Sequence, residues 1–439
     1  MKKEDRRLKK APAAKAAAAP KRQTAAAAAS AKKRTGAVAA APKKRKPAGP
    51  LADHLPAVIG GSSLSLPVLA RKTGLKIKSI ETYTQGTNLS FVRVLADDGS
   101  QGYGQISPYD ADISATILHR KLAPIALGRD PAEIESINDR CIEDNHKFPW
   151  TYICRALAGL DTAVWDLLGK REGKSVCALL GGKPRPFPVY GSSMSRAITP
   201  KDEARRLTAL RDTQGFKAFK VRVGKVNGRD QDEWPGRTEA LIPAMRRALG
   251  DDVDILADGN SCYSPPEAIR VGRMLEDYDY GHFEEPCPYW ELEWTAQVAA
   301  ALKIPVAGGE QDNDLAQWQR MMRMHAVDIV QPDVCYIGGL TRALRLAALA
   351  QKAGFKCVPH SANLSMVTVF TLHLMGAVSN AGPHVEFTIE NDAWTKDIFR
   401  PALQVRAGKV AIPDGPGWGV SINPEWLAKA KREVSEHAV

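Results

Sequence analysis

The chain has 439 residues, 44% of them hydrophobic, and a formal net charge of +12, which is length for two or more domains and apolar material for a large core. Residues 1–50 carry 16 Lys and Arg against only Glu4 and Asp5. That local balance of +14 exceeds the +12 of the whole chain and leaves the other 389 residues at −2, so the basic character belongs to a tail. No apolar run reaches the roughly 18–20 residues of a membrane span, and Arg6-Arg7 is followed by Leu8-Lys9-Lys10 rather than by an apolar signal core. Seven cysteines (141, 154, 177, 262, 287, 335 and 357) with no C-x-x-C pair suit a reduced, cytoplasmic compartment.

Residues 1–70 are rich in Ala, Lys, Arg and Pro, and the first aromatic residue of the chain is Tyr83. Such a segment cannot bury enough apolar surface to offset its ordering entropy, so it is expected to be disordered. Its clusters Lys32-Lys33-Arg34 and Lys43 to Lys46 give it a means of binding nucleic acid non-specifically. The plainer reading, a solvated extension or a rarely used upstream start, is preferred because charge runs without stacking aromatics carry little specificity.

From Leu75 the texture changes. Leu75-Lys76-Ile77-Lys78-Ser79-Ile80 and Leu89-Ser90-Phe91-Val92-Arg93-Val94 alternate apolar and polar, which predicts half-buried strands. Asp97-Asp98-Gly99 predicts a turn and Gly102 to Ile106 a third strand. Ile153, Leu157, Leu160, Val164 and Leu167 then recur at spacings of three and four, which predicts a helix with one buried face. Residues 71–186 therefore read as an α+β unit.

Beyond Pro186 short apolar strands alternate with helical segments. The strands are expected at 189–194, 219–223, 254–257, 282–283, 304–306, 328–330, 356–358 and 384–387, with helices such as 266–275 and 340–352 between them. About eight such units imply a closed β/α barrel, placed here over 187–400, with functional groups just after the strands.

Acids stand where that rule points. Asp258, Glu284 and Glu310 each follow a strand, 26 and 26 residues apart, about one β/α unit each. Equal spacing puts three carboxylates on neighbouring strands at one height, where they would repel without a cation. All-oxygen ligation favours Mg²⁺ or Mn²⁺ over zinc. A lone acid at a strand end is more often a helix cap; three in register are not. Asp333 follows after 23 residues, His360 after another 27 and Glu386 after another 26. Asp333 and His360 fall on adjacent strands, so the carboxylate can hold the imidazole in one tautomer as a general base. Lys220 and Arg222 lie two apart on one strand and point to the same side, into the barrel mouth, with a substrate carboxylate as their expected partner.

Lys220-x-Arg222, Asp258-Gly-Asn260, Glu284-Glu285-Pro286, Gly309-Glu310, Pro332-Asp333 with Ile337-Gly338-Gly339, His360 and Glu386 together resemble the mandelate racemase subgroup of the enolase superfamily, from about Leu75 to Val420. The resemblance implies a modified TIM-type barrel, an N-terminal capping domain over 71–186 whose loops close the site, and a C-terminal segment, 401–439, returning to the cap. It implies Asp258, Glu284 and Glu310 as Mg²⁺ ligands, with Asn260 and Glu285 supporting them. It implies Lys220 neutralising the substrate carboxylate, the Asp333–His360 dyad moving protons, and Glu386 hydrogen-bonding a carboxylate oxygen. Ser192 is a candidate for touching that carboxylate, although a small residue there can simply make room. A homo-oligomer is also expected. The family is known for a Lys or His base acting with Mg²⁺ on an enediolate.

One departure bears on the reaction. The second member of the family's Lys-x-Lys pair is Arg222, which stays protonated and is a poor base. Racemisation needs an acceptor on each face of the enediolate, whereas dehydration needs one. The expectation is therefore an acid-sugar dehydratase acting on an aldonate or aldarate, with a racemase or epimerase of a 2-hydroxy acid as the alternative. Sugar selection falls to loops near Gln85–Asn88 and Ser107–Asp112. A tail without core-forming residues is expected to be dispensable for chemistry. Deleting residues 1–60 should leave kcat/KM within about threefold, under roughly 0.7 kcal/mol, as steady-state kinetics of the truncated and full chains would show.

Overall fold

The computed structural model describes residues 72–437; the expectations for the 1–70 tail lie outside them. β1 (Ile77–Gln85), β2 (Leu89–Ala96) and β3 (Gln101–Gln105) form an antiparallel meander. The terminal strand Lys431–Glu436 adds to the free edge of β1, pairing Ser79 with Glu436 through Thr84 with Lys431. The half-buried alternation expected of β1 is not what the fold uses. Ser79, Glu81 and Thr82 are as buried as Ile77 and Ile80. The reason is charge pairing. Arg93 of β2 and Arg432 of the terminal strand lie across Glu81, donating at 2.7 and 2.8 Å, and the Tyr83 hydroxyl donates at 2.6 Å. Burial opposes ionisation of Glu81, yet these donors hold its carboxyl down at about 2.

Helices α1 (Ala111–Ile117), α2 (Ala123–Ala126) and α3 (Ile134–Glu143) precede the long α4 (Tyr152–Arg171) and the short α5 (Val176–Leu179). The stripe expected on α4 widens to nearly its whole circumference, because strand β3 packs on one side and other segments on the rest. Contact with β3 is so close that a Cβ on Gly102 or Gly104 would collide with the α4 backbone at Ala163. Two buried acids of α4 fix these neighbours. Asp166 accepts from the Tyr103 amide of β3 at 2.7 Å and from the Trp418 amide at 2.9 Å. Asp161 accepts from the Thr341 amide and hydroxyl and from Asn138.

Then the alternation sets in: β4 (Pro186–Ser192), α6 (Pro200–Gln214), β5 (Ala218–Arg222), α7 (Arg237–Leu249), β6 (Asp254–Asp258), α8 (Pro265–Asp277), β7 (Phe283–Glu284), α9 (Leu292–Ala301), β8 (Val306–Gly308), α10 (Leu315–Arg323), β9 (Ile329–Val330), α11 (Leu340–Ala353), β10 (Lys356–Cys357), α12 (Met366–Ala377) and β11 (Val385–Thr388). Strands β4 to β10 run parallel in sequence order. β11 pairs with β4, and a bridge between Cys357 and Ala381 spans the remaining gap, so the sheet closes into a barrel. The eight strands expected from sequence are all present among the described residues, the first starting three residues earlier than expected. Helix signals are local: Thr199 accepts from the Asp202 amide at 3.1 Å with Pro200 in the first turn, and Gly215 ends α6 in the left-handed region. All seven cysteines are free and buried. Among the described residues no helix is long and apolar enough to cross a membrane.

The Glu81 cluster joins the two ends of the folded region, and its pH sign is definite. A carboxyl held below its ordinary 4.5 contributes stability that is complete above that value and is lost as pH falls towards about 2. Glu81→Gln should lower unfolding free energy at pH 7 by about 2 kcal/mol, the scale of charge-assisted hydrogen bonds. Urea titrations from pH 6 to pH 3 should show the variant losing less stability over that interval than the parent chain.

Candidate active site

Parallel pairing sets the register of the barrel's C-terminal rim. Arg222 pairs with Asp258, Asp258 with Glu284, and Glu284 with Ala307, three residues before Glu310. Lys220, one period-two step before Arg222, pairs with Leu256. Asp333 and His360 face each other across an isolated parallel bridge. The sequence spacing thus becomes a row of acids, cations and an imidazole along one rim. All are buried: Lys220 and Asp258 are 0% exposed, Glu284 1% and Glu310 8%.

The charges meet each other. Lys220 Nζ lies 2.6 Å from Glu284 Oε1, 2.8 Å from Glu386 Oε1 and 3.7 Å from Asp258 Oδ2. Arg222 Nη1 contacts Asp258 Oδ2 and donates to Asn260 Oδ1 at 2.9 Å, while its Nε donates to the Ser193 carbonyl at 2.9 Å. In this arrangement the two cations are paired with the protein's own acids. Burial works against charge on Lys220, but Glu284 and Glu386 overcome it and hold the amine protonated far above its usual range. Glu284 is correspondingly held well below the carboxylate range, against burial, by Lys220.

Both oxygens of Glu386 are engaged. Oε1 accepts from the Ser192 hydroxyl at 2.7 Å as well as from Lys220, and Oε2 accepts from the Ser361 amide at 2.7 Å. Burial notwithstanding, Lys220 and His360 hold its carboxyl at about 2. Ser192 and Asn260 accordingly sit under the charged groups as supports. Asn260, at φ 41°, also takes Arg196 Nη2 at 2.8 Å.

Across the rim, His360 Nδ1 lies 2.9 Å from Asp333 Oδ2, and Nε2 lies 3.3 Å from Glu310 Oε2. Asp333 Oδ1 is held by the amides of Cys335 and Tyr336 at 2.7 and 3.0 Å. Burial would lower the imidazole, but Glu310, Glu386 and Asp333 push it up to about 10.

Several participants were not singled out in the sequence. Gln331 donates to Glu284 Oε2 at 2.8 Å, filling the acid's second oxygen. Its place two residues before Asp333, on the same strand end, was the available signal. Arg196, Ser361 and Tyr336 carry no periodic signal and are found only in space.

The fit to a divalent cation can be tested on these side chains. Among the described residues no group of three or more His, Cys, Asp or Glu is gathered closely enough to hold a metal. Convergence on one point, expected from the spacing, is met in strand register but not in side-chain placement. Asp258 and Glu284 are drawn onto Lys220 and Arg222, and Glu310 onto His360. The chemistry nevertheless suits a hard cation. The donors are all carboxylate oxygens, and negative charge is in excess near Glu310, where burial together with Glu284 and Asp258 carries the carboxyl up to about 7. Neighbouring Glu285 is raised further by burial, Glu310 and Asp258, and its buried Oε1 has no hydrogen-bond partner.

Comparison with known proteins agrees with this architecture. Residues 69–181 match the mandelate racemase / muconate lactonizing enzyme N-terminal domain family, and residues 202–426 match the enolase C-terminal domain-like family. An arabinonate dehydratase of Saccharolobus solfataricus is 31% identical over 335 residues, 74% of this chain and 86% of its own. A solved structure from Roseobacter denitrificans, provisionally described as a racemase, is 55% identical with a TM-score of 0.81, covering 82% of this chain and all of its own. A mandelate racemase/muconate lactonizing protein from Paracoccus denitrificans PD1222, solved with magnesium, is 31% identical with a TM-score of 0.76, covering 82% of this chain and 98% of its own. With a barrel and cap of this form, and matches over both, the chain belongs to the mandelate racemase subgroup of the enolase superfamily.

Proposed function

We propose that the protein is a Mg²⁺-dependent hydro-lyase that dehydrates an acid sugar, an aldonate or aldarate, to its 2-keto-3-deoxy product. The observation that carries this reading is the asymmetry of the rim. On one side of the acids Arg222 is a guanidinium, which keeps its proton, and Lys220 beside it is held protonated by Glu284 and Glu386. His360, on the other side, is the one group with an orienting carboxylate and a second nitrogen turned to the acids.

Asp258, Glu284 and Glu310 would hold the cation, in keeping with the magnesium in the Paracoccus relative. Bound there, it would supply the charge that stabilises the substrate carboxylate as negative charge builds on it. Asp333 accepts from Nδ1 of His360 and so presents Nε2 to the substrate as the working atom. With Glu310 engaged by the cation instead of by the imidazole, the charge that raises His360 is reduced, and a neutral Nε2 would take the proton α to the carboxylate, leaving an enediolate. The imidazolium then returns a proton to the β-hydroxyl, which departs as water, and the enol formed tautomerises to the 2-keto-3-deoxy acid. Lys220, Arg222 and Glu386 keep the acids in place and fix positive charge beside them. The arabinonate dehydratase of Saccharolobus solfataricus favours this class.

A second reading, racemisation or epimerisation of a 2-hydroxy acid, is favoured by the provisional racemase description of the 55% identical Roseobacter protein. It requires Lys220 as a second base, and the pairing of Lys220 with Glu284 and Glu386 opposes that role.

Two outcomes test the proposal. Turnover of an acid-sugar library should require a divalent metal, and Glu310→Gln should reduce it by more than about 100-fold while leaving circular dichroism and the unfolding midpoint near those of the parent. Full activity in excess EDTA would remove the metal from the mechanism. With an active sugar in deuterium oxide, His360→Asn should suppress both α-proton exchange and keto-acid formation, each by about 10²–10⁴-fold. Exchange persisting at the parent rate would place the base elsewhere and move the racemase reading ahead.

A further inference from the structure

The loop after β3 runs near the rim, where Tyr109 feels the charges of Asp333 and Glu310, and its backbone is held in an unfavourable form. Tyr109 and Asp110, neither of them glycine, have φ of 64° and 53°. Such conformations persist only when surrounding contacts over-determine them. The first turn and a half of α4 supplies those contacts. Arg155 Nη1 donates to the Ser107 hydroxyl at 2.6 Å and to the Pro108 carbonyl at 3.1 Å, and the Arg155 carbonyl accepts from the Ser107 amide at 3.3 Å. One turn earlier, the Tyr152 hydroxyl donates to Asp110 Oδ2 at 3.1 Å.

Arg155 does something Tyr152 does not. Its guanidinium carbon stands 3.9 Å above the centroid of the Tyr336 ring, within cation–π range. Tyr336 is 6% exposed, and its ring centroid is 5.9 Å from that of the His360 imidazole. The Tyr336 amide also donates to Asp333 Oδ1, while Oδ2 of the same carboxylate holds His360 Nδ1. A single side chain therefore touches the cap loop on one edge and, on the other, the ring of a tyrosine that faces the imidazole and whose amide holds the orienting acid.

We propose that Arg155 is a positioning residue that seats the 106–110 loop and aligns the His360 imidazole together, through the ring of Tyr336. The coupling as such is a matter of geometry; its value to turnover rests on the reading of His360 as the base. A loop that is displaced releases Arg155 from Ser107 and Pro108, and the ring beneath it loses the cation that fixes its tilt. The imidazole, set at a tilt of 46° against that ring, then loses one wall. Closing the cap over a substrate and orienting the base would thus be one event.

The test needs no substrate and uses the full chain. Hydrogen exchange reads the amides of Ile106, Ser107, Tyr109 and Asp110, and NMR of ring-labelled histidine reads His360, assigned by its loss in His360→Asn among the nine histidines. Arg155→Met should speed exchange in the loop by about tenfold or more, a loss of local stability on the scale of a tenfold equilibrium change, and should shift the His360 resonance although the two side chains do not touch. Tyr152→Phe, which frees the same loop at Asp110 without contacting Tyr336, should speed exchange and leave that resonance in place. Arg155→Lys, which keeps a cation over the ring, should restore the resonance at least partly. A His360 resonance unmoved by Arg155→Met, or moved equally by Tyr152→Phe, overturns the coupling. Either result leaves the dehydratase reading standing on the effect of His360→Asn, so the two can fail separately.

Discussion

Six carboxylates buried on one barrel rim are the constraint that the rest of the molecule answers. Asp258, Glu284, Glu285, Glu310, Asp333 and Glu386 are all under a tenth exposed, and an uncompensated buried charge is far costlier than a surface one. Lys220 and Arg222 lie fully inside because the acids are there, and Gln331, Ser192 and the Ser361 amide take the oxygens the cations leave. Ion pairs of this kind contribute little net stability, but removing one partner strands the other at a cost of about 3–5 kcal/mol. The group therefore behaves as one unit. Its members are tolerable only in each other's company, which ties the barrel's parallel register to the identity of its rim residues.

The cap is held against this rim by the same device on a smaller scale. Asp161 and Asp166 on α4 are buried acids satisfied by backbone amides of elements far apart in sequence, Tyr103, Thr341 and Trp418 among them. Gln105, at the end of β3, bridges from the cap sheet to the barrel by donating to the Ser365 hydroxyl at 2.9 Å and accepting from the Met366 amide. A buried side chain with both ends satisfied across an interface specifies one docking geometry. The loop that follows Gln105 starts from that fixed point, and its Ser107 is set against Arg155 of α4.

Much of this was legible in the sequence because a β/α barrel repeats along the chain. Spacings of 26, 26, 23, 27 and 26 residues are one unit each, and a repeat converts directly into strands of equal height. That is why Asp258, Glu284, Glu310, Asp333, His360 and Glu386 share one rim in space. What periodicity does not carry is the partner of a charged side chain across a closed sheet. Lys220 and Arg222 were rightly expected to point inward, yet whether they meet a ligand or the protein's own acids depends on Glu386, which barrel closure brings from more than 160 residues away in the chain. The polar row of β1 escaped for the same reason: Glu81 is buried by an arginine supplied by the last strand of the described chain. Arg155 and Tyr336 lie on different layers and share no spacing at all.

Glu310 joins the two halves of the site. Its carboxylate is grouped by register with Asp258 and Glu284, yet its Oε2 stands 3.3 Å from the nitrogen of His360 that faces the mouth. The oxygen that would serve a cation is thus the counter-charge of the base. Whatever the acids hold draws on the same negative charge that keeps the imidazole protonated, so occupancy of the acid row and proton affinity of the base are linked by Coulomb's law across a single carboxylate. On the opposite side Asp258 and Glu284 play the same double part, as members of the acid row and as partners of Lys220 and Arg222. The two sides differ in the groups they carry, an imidazole on one and an amine and a guanidinium on the other. On the proposed reading, that imidazole would remove a proton from the substrate and return one to the leaving group.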